Sequence, residues 1–247
     1  MYTKQDLLSD LTRIKIDPAG TLMVHISCKA VGEVDGRGDT ILDVLSEYMS
    51  SGLLVLPAHT WNVSTDNPVT DVLHTRSCVG VLTEMFRKRP NVHRSLHPTH
   101  SLAALGKGAE EFVSGEEFIE TPCGIDGAYY KLWERDAQIL LIGVNFTRNT
   151  FIHGIEEWDG ATGAASSDKT DWYVINHAGQ RLYTPQYRHC SRIGSETFSK
   201  LEPQAIQEGV LSLGSFGDAT TRLMRAKPLR NLVAKLLSAD SGYLSRY

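Results

Sequence analysis

QILLIGV, residues 138–144, is the stretch whose reading decides the fold: an almost unbroken aliphatic run of strand length, with no polar face. Such a run reads as a strand covered on both sides, the position of a central strand in an α/β sheet. Outward from it, TLMVHI (21–26), LLVLP (53–57) and SLAAL (101–105) are further short apolar runs with turn residues at their ends, and each reads as a strand. Leu7, Leu8, Leu11 and Ile14 recur at helical spacing before the turn Asp17-Pro18-Ala19-Gly20. Further helices are predicted over 39–51, with Asp39 as N-cap, and over 79–89. The polar stretch from His59 to Ser77 has no clear period and reads as a surface loop. DWYVIN (171–176) and RLYTPQY (181–187) flank the turn His177-Ala178-Gly179-Gln180 as a β-hairpin, and two helices, at 196–209 and 218–238, follow, the second kinked or split at Pro228. Strand–helix alternation early and a hairpin late predict a three-layer α/β/α sandwich with a mixed central sheet, a single domain over residues 1–247.

Composition narrows the function classes. A formal charge of -4 on 247 residues argues against a nucleic-acid binder, which would concentrate Lys and Arg on one face. No apolar run approaches the ~18 residues of a membrane-spanning helix, and MYTKQDLLSD at the amino end lacks the apolar core of a secretory signal. Cys28, Cys78, Cys123 and Cys190 are widely spaced, without a C-x-x-C pair, which suits reduced thiols in a cytoplasmic protein. Cys123 reads as a packing residue.

Three segments carry candidate chemistry. NTFIHGIEEW (149–158) follows the QILLIGV strand, and Asn149 or Thr150 can N-cap a helix with His153 in its first turn. Residues three and four apart share a helix face, so His153 can meet Glu156 or Glu157, as a base with its orienting acid or as an ordinary surface contact. RSLHPTHS (94–101) places two histidines around Pro98; with His153 they offer a three-histidine metal set, or they are loop histidines satisfied by backbone. HISCKAVGEVDGRGD (25–39) runs from a strand into a loop with Ser27, Lys29, Gly32, Gly36 and Gly38, an anion-binding nest or a plain Gly-rich turn, and neither a P-loop nor a G-x-G-x-x-G.

Taken together, VHISCKAVGEVDG (24–36), GVLTEMFRKRPNVHRSLHPTHSLAALG (80–106), TPCGIDGAYYKLWERDAQILLIGV (121–144) and NTFIHGIEE (149–157) resemble the aminoglycoside 3-N-acetyltransferase family, in the family's order and at about its spacing. The resemblance implies a fold distinct from the GNAT acetyltransferases, acetyl-coenzyme A as cosubstrate, no metal, and acetylation of an amine on a small aminoglycoside-like acceptor in a ternary complex. It places the family's histidine on His153 and its glutamate on Glu156, with Glu157 as second choice for the carboxylate that orients the ring. It makes Ser27, Cys28, Lys29, Ala30, Val31 and Gly32 a coenzyme A contact loop, and sets Arg94, Ser95, His97 and Ser101 on the cofactor side. A polycationic acceptor would favour an acidic rim, for which Asp66, Asp71, Glu116, Glu117, Glu120, Glu157 and Asp159 are the candidates, Asp66 and Glu157 foremost. The loop after LLVLPAHTW looks shorter than in typical resistance enzymes, which opens the acceptor to amines other than antibiotics. Two other classes compete: a metal-dependent hydrolase with His97, His100 and His153 as ligands, and a non-catalytic binder of coenzyme A or a small cation.

Overall fold

The computed structural model describes residues 1–189 and 194–245; Cys190 lies outside the described residues. Ten strands are present among them: β1 (Thr21–Ile26), β2 (Leu53–Pro57), β3 (Val69–Asp71), β4 (His93–Arg94), β5 (Leu102–Gly106), β6 (Gln138–Ile142), β7 (Tyr173–Ile175), β8 (Arg181–Tyr183), β9 (Leu211–Phe216) and β10 (Ala219–Arg225). The helices are α1 (Lys4–Ile14), α2 (Arg37–Tyr48), α3 (Val81–Phe86), α4 (Ala109–Val113), α5 (Ala128–Glu134), α6 (Phe151–Trp158), α7 (Leu201–Gln207) and α8 (Ala226–Ala239). Seven strands form one sheet in the order β4-β5-β2-β1-β6-β10-β9. Its centre, β2-β1-β6, is parallel, and the flanking strands pair antiparallel. QILLIGV supplies β6, bonded to β1 on one side and β10 on the other.

Strand periodicity divides the core in two. Met23, Val55, Ile139 and Leu141 face one side, where they pack with Phe112, Tyr129, Phe151, Ile155, Leu229 and Val233 of α4, α5, α6 and α8. Leu22, Val24, Leu54, Leu56, Leu140 and Ile142 face the other, against Leu7, Leu11, Ile41, Leu45 and Phe86 of α1, α2 and α3. Successive side chains on a strand point to opposite faces, so a run apolar at every position is covered by helices on both. The three-layer sandwich with a mixed sheet is thus present.

Several elements differ from the sequence reading. Helix α2 begins at Arg37 with Gly36 as N-cap, and Asp39 sits inside its first turn, ion-paired to Arg89 at 3.1 Å. The 59–77 stretch is not a surface loop throughout: it contributes β3, parallel to β7, and buries His59, Thr60, Thr70 and Val72. Residues 171–187 do form the β7–β8 hairpin, which with β3 makes a separate three-stranded sheet. The helix predicted over 218–238 is a strand and a helix. Residues 211–225 form the β9–β10 hairpin, and α8 starts only at Ala226. Pro228 falls in the first turn of α8, where its missing N–H costs no helical bond, and so kinks nothing. No described helix is long and apolar enough to cross a membrane.

Because Leu141 is fully buried and packed on the α4–α8 side of the sheet, Leu141→Ala should lower the unfolding free energy by about 2–5 kcal/mol, read as a shift in the urea midpoint at unchanged slope.

Candidate active site

The carboxyl ends of the parallel strands open onto one cleft of about 610 Å³, the usual place for ligands in an open α/β sheet. His25 and Ser27 reach it from the end of β1, His59 and Trp61 from beyond β2, and Thr147, Arg148 and His153 from beyond β6. Gly143 makes this possible where β6 ends. Its φ is +64° and a Cβ there would lie 2.2 Å from Ala30, so only glycine lets the 27–31 loop close against β6.

His153 occupies the first turn of α6, whose N-cap position is taken by Thr150, one of the two expected residues; the Thr150 side chain makes no capping bond, and Asn149 is buried with its amide donating to Met224 Sδ. His153 Nδ1 and Glu156 Oε2 are 2.7 Å apart. Burial pushes the imidazolium down to about 4 and the Glu156 acid up to about 8, so the ring is neutral near pH 7. Once Glu156 is ionised, its carboxylate accepting from Nδ1–H leaves Nε2 free to accept a proton, on a ring that lines the cleft. Glu157, the second choice, is turned away. It accepts from the Cys123 backbone N–H at 3.0 Å and lies 3.6 Å from His189 Nε2. Gly154 supports this arrangement, since a Cβ there would meet the Trp158 ring at 2.6 Å, and Trp158 donates its indole N–H to the Cys123 carbonyl at 2.7 Å.

Other histidines gather around His153. The His189 ring is 4.3 Å from His153 and 5.4 Å from His100, and His100 is 4.8 Å from His59. His59 Nε2 is 2.7 Å from the buried Tyr129 hydroxyl, and His25 Nε2 is buried without a partner among the described residues. Burial lowers the pKa of each of these rings, to about 4 for His25 and about 3 for His189. His25, His59 and His189 escaped the sequence reading because each stands alone in its segment; only the fold brings them together.

The remaining expected residues divide. Ser27 lines the cleft and Ala30 an adjoining pocket with Asn145, Thr147 and Arg148. Cys28, Lys29 and Gly32 line a different groove, with Glu33 and Arg37, and Val31 is core. Arg94, Ser95, His97 and Ser101 do not line the cleft. The Arg94 guanidinium is buried and donates to the carbonyls of Ala58, Val72 and Thr75 at 2.8–3.0 Å and to Ser101 Oγ at 3.1 Å. His97 Nδ1 accepts from the Thr99 and His100 N–H groups, and its Nε2 is 3.0 Å from the Thr121 carbonyl oxygen. With both nitrogens engaged by backbone, His97 is no metal ligand, and the trio with His100 and His153 is not formed. Among the described residues the set whose ligand atoms gather within 4.8 Å is Cys123, Glu157 and His189. Cys123 is buried, its thiol pushed well up by burial, as a packing residue's would be.

The acidic rim does not assemble. Glu116 is buried, accepting from the Ala128 N–H at 2.5 Å, and Glu157 is half-buried and held by the Cys123 N–H. Glu120 pairs with Lys169 at 2.6 Å and Asp159 with Arg230 at 2.9 Å. Asp71 caps the Leu73 and His74 N–H groups, while Asp66 and Glu117 are not among the residues lining the cleft.

Sheet and site define a three-layer α/β protein with a proton-accepting imidazole at its parallel strand ends. The chain belongs to the aminoglycoside 3-N-acetyltransferase family, whose model matches residues 23–238. Aminoglycoside N(3)-acetyltransferase IV of Salmonella sp is 29% identical over 154 residues, 62% of this chain and 58% of that protein, so the match spans less than two thirds of that relative's length. Aminoglycoside N(3)-acetyltransferase VII of Streptomyces paromomycinus is 24% identical over 91% of this chain and 88% of its own. Among solved structures, AAC-IIIb in a binary complex with CoASH superposes with a TM-score of 0.84 at 21% identity, over 96% of this chain and 97% of that one.

Two outcomes follow from the geometry. Arg94→Met strands the carbonyls of Val72 and Thr75, while that of Ala58 keeps the Ser101 hydroxyl, and should cost about 3 kcal/mol of stability in urea unfolding, while acetyl-coenzyme A binding to the folded variant stays within a factor of about two. Six buried histidines have lowered pKa values. They bind protons more readily unfolded, so stability should rise with pH from about 4 to 6.5. Glu116, Glu156 and Glu157, raised to about 7, 8 and 7, act in the opposite sense from 4.5 upward. The net is a maximum near pH 6.5 in thermal midpoint against pH, with a decline toward pH 8.

Proposed function

We propose that the chain is an acetyl-coenzyme A dependent N-acetyltransferase in which His153 is the general base and Glu156 holds its ring. The observation that carries this reading is the 2.7 Å contact of His153 Nδ1 with Glu156 Oε2 in a ring facing the cleft. The acceptor amine attacks the thioester carbonyl as His153 Nε2 takes a proton from nitrogen; the C–N bond forms, the C–S bond breaks, and the thiolate of coenzyme A leaves and takes up a proton. Both substrates occupy the cleft together, so the acetyl group passes directly between them. Family membership and the likeness to a fold solved with CoASH support the choice of acyl donor. Ser27, Ala30, Thr147 and Arg148, around Gly143, are the groups suited to the donor: small residues that let its backbone-lined path close in, and one guanidinium for its phosphates.

His153→Ala should lower kcat by roughly 10²–10⁴-fold while acetyl-coenzyme A still binds; transfer at the unmutated rate would refute the base assignment. Glu156→Gln should lower kcat on the order of 10²-fold, whereas Glu157→Gln should leave it within about two-fold. An extra proton on the His153–Glu156 pair blocks the base, and burial raises the Glu156 acid to about 8. Accordingly kcat should rise with pH and level off above about 8, and in Glu156→Gln the limb should move to acid pH, toward the value of about 4 for His153. A limb unmoved by Glu156→Gln would detach that glutamate from the base.

A further inference from the structure

The cleft's own charges bear on which amine it takes. No Asp or Glu is among the described residues that line it. Glu156 is occupied by His153, and the carboxylates that would suit a cationic acceptor are buried, paired or away from the cleft. The charged side chains that do line the cleft are the guanidinium groups of Arg148 and Arg188, and neither is in an ion pair among the described residues. Arg148 also lines the adjoining pocket with Ala30, Asn145 and Thr147, on the side assigned above to the acyl donor. Arg188 lies between Tyr187 and His189, and the His189 ring is 4.3 Å from that of His153. Trp61, half exposed, adds an aromatic surface from beyond β2.

A polycation bound with one nitrogen at His153 would set its remaining ammonium groups beside two guanidinium groups that are themselves exposed, a like-charge repulsion moderated by solvent and salt. A carboxylate or phosphate in the same place meets a planar donor fork that matches it. We propose that the acceptor is a small primary amine bearing an anionic group, held by Arg188, with its carbon skeleton against Trp61 and Tyr187. The inference rests on the acetyl-transfer reading and specifies its substrate class.

The test is thiol release at saturating acetyl-coenzyme A with matched amines: glucosamine 6-phosphate against glucosamine, 6-aminohexanoate against hexylamine, and kanamycin. Each anionic amine should exceed its neutral partner in kcat/KM by about 10-fold or more, and kanamycin by about 100-fold. Which of the two anionic amines is faster distinguishes phosphate from carboxylate. Arg188→Glu should abolish the anionic preference and raise kanamycin turnover. Kanamycin acetylated best, and in a His153-dependent manner, would overturn the acceptor class while leaving the base assignment standing. Arg188→Glu that raises only the KM for acetyl-coenzyme A would overturn it too, by assigning Arg188 to the donor. If no amine is acetylated, the transferase reading fails instead. Calorimetric titration of glucosamine 6-phosphate and glucosamine into the coenzyme A complex of the unmutated protein and Arg188→Glu then decides the acceptor class: equal affinities overturn it, and a preference lost in the variant sustains it.

Discussion

Everything at the active site hangs on the burial of the parallel triplet β2-β1-β6 from both sides. Their backbone groups are satisfied only within the sheet, and their side chains only by the helices above and below, so the strands cannot slip in register without exchanging one apolar face for the other. Parallel strands also end on the same side of a sheet. The chain therefore delivers three independent loops, after Ile26, Pro57 and Ile142, to one edge without further instruction, and helix α6 presents its first turn to the space among them.

The site formed there is unusually rich in neutral imidazole. Rings from β1, the 59–77 stretch, the 94–101 turn, α6 and the segment after β8 all line the cleft, and several lie within 4.3–5.4 Å of one another. Desolvation disfavours every imidazolium in the group, and each ring would raise the cost of charging its neighbour. The His153 ring is thus kept neutral by its surroundings as well as by its position near a helix N-terminus. Glu156 on its far nitrogen opposes that trend little near pH 7, because burial raises its own acid to about 8 and keeps it largely protonated there.

Much of the sheet was legible because β1, β2, β5 and β6 are short apolar runs whose pattern needs no partner to be recognised. The β9–β10 hairpin was not. Leu223 and Met224 continue into the apolar spacing of α8, and helical periodicity there outweighed the Gly217-Asp218 turn and the paired threonines 220 and 221. At the site, His153 could be picked from its segment, but spacing alone leaves Glu156 and Glu157 equivalent; the choice depends on the rotation of α6, fixed by Phe151, Ile155 and Trp158 in the core. Arg94 illustrates the opposite difficulty. Its block of sequence marks the family, yet its guanidinium serves the fold, and no property of residues 94–101 by themselves separates an arginine that holds carbonyls from one that holds phosphate.

The Arg94 clamp has an evolutionary corollary. It grips the stretch beyond β2 at its two ends, through Ala58 on one side and Val72 and Thr75 on the other, and leaves the exposed turns around residues 61–67 without such an anchor. Insertions or deletions in that interval can reshape one wall of the cleft while the ends remain fastened to the sheet. A scaffold fastened in this way can diversify what its cleft accepts by changing loop length alone, with His153, Glu156 and the 27–31 loop left as they were.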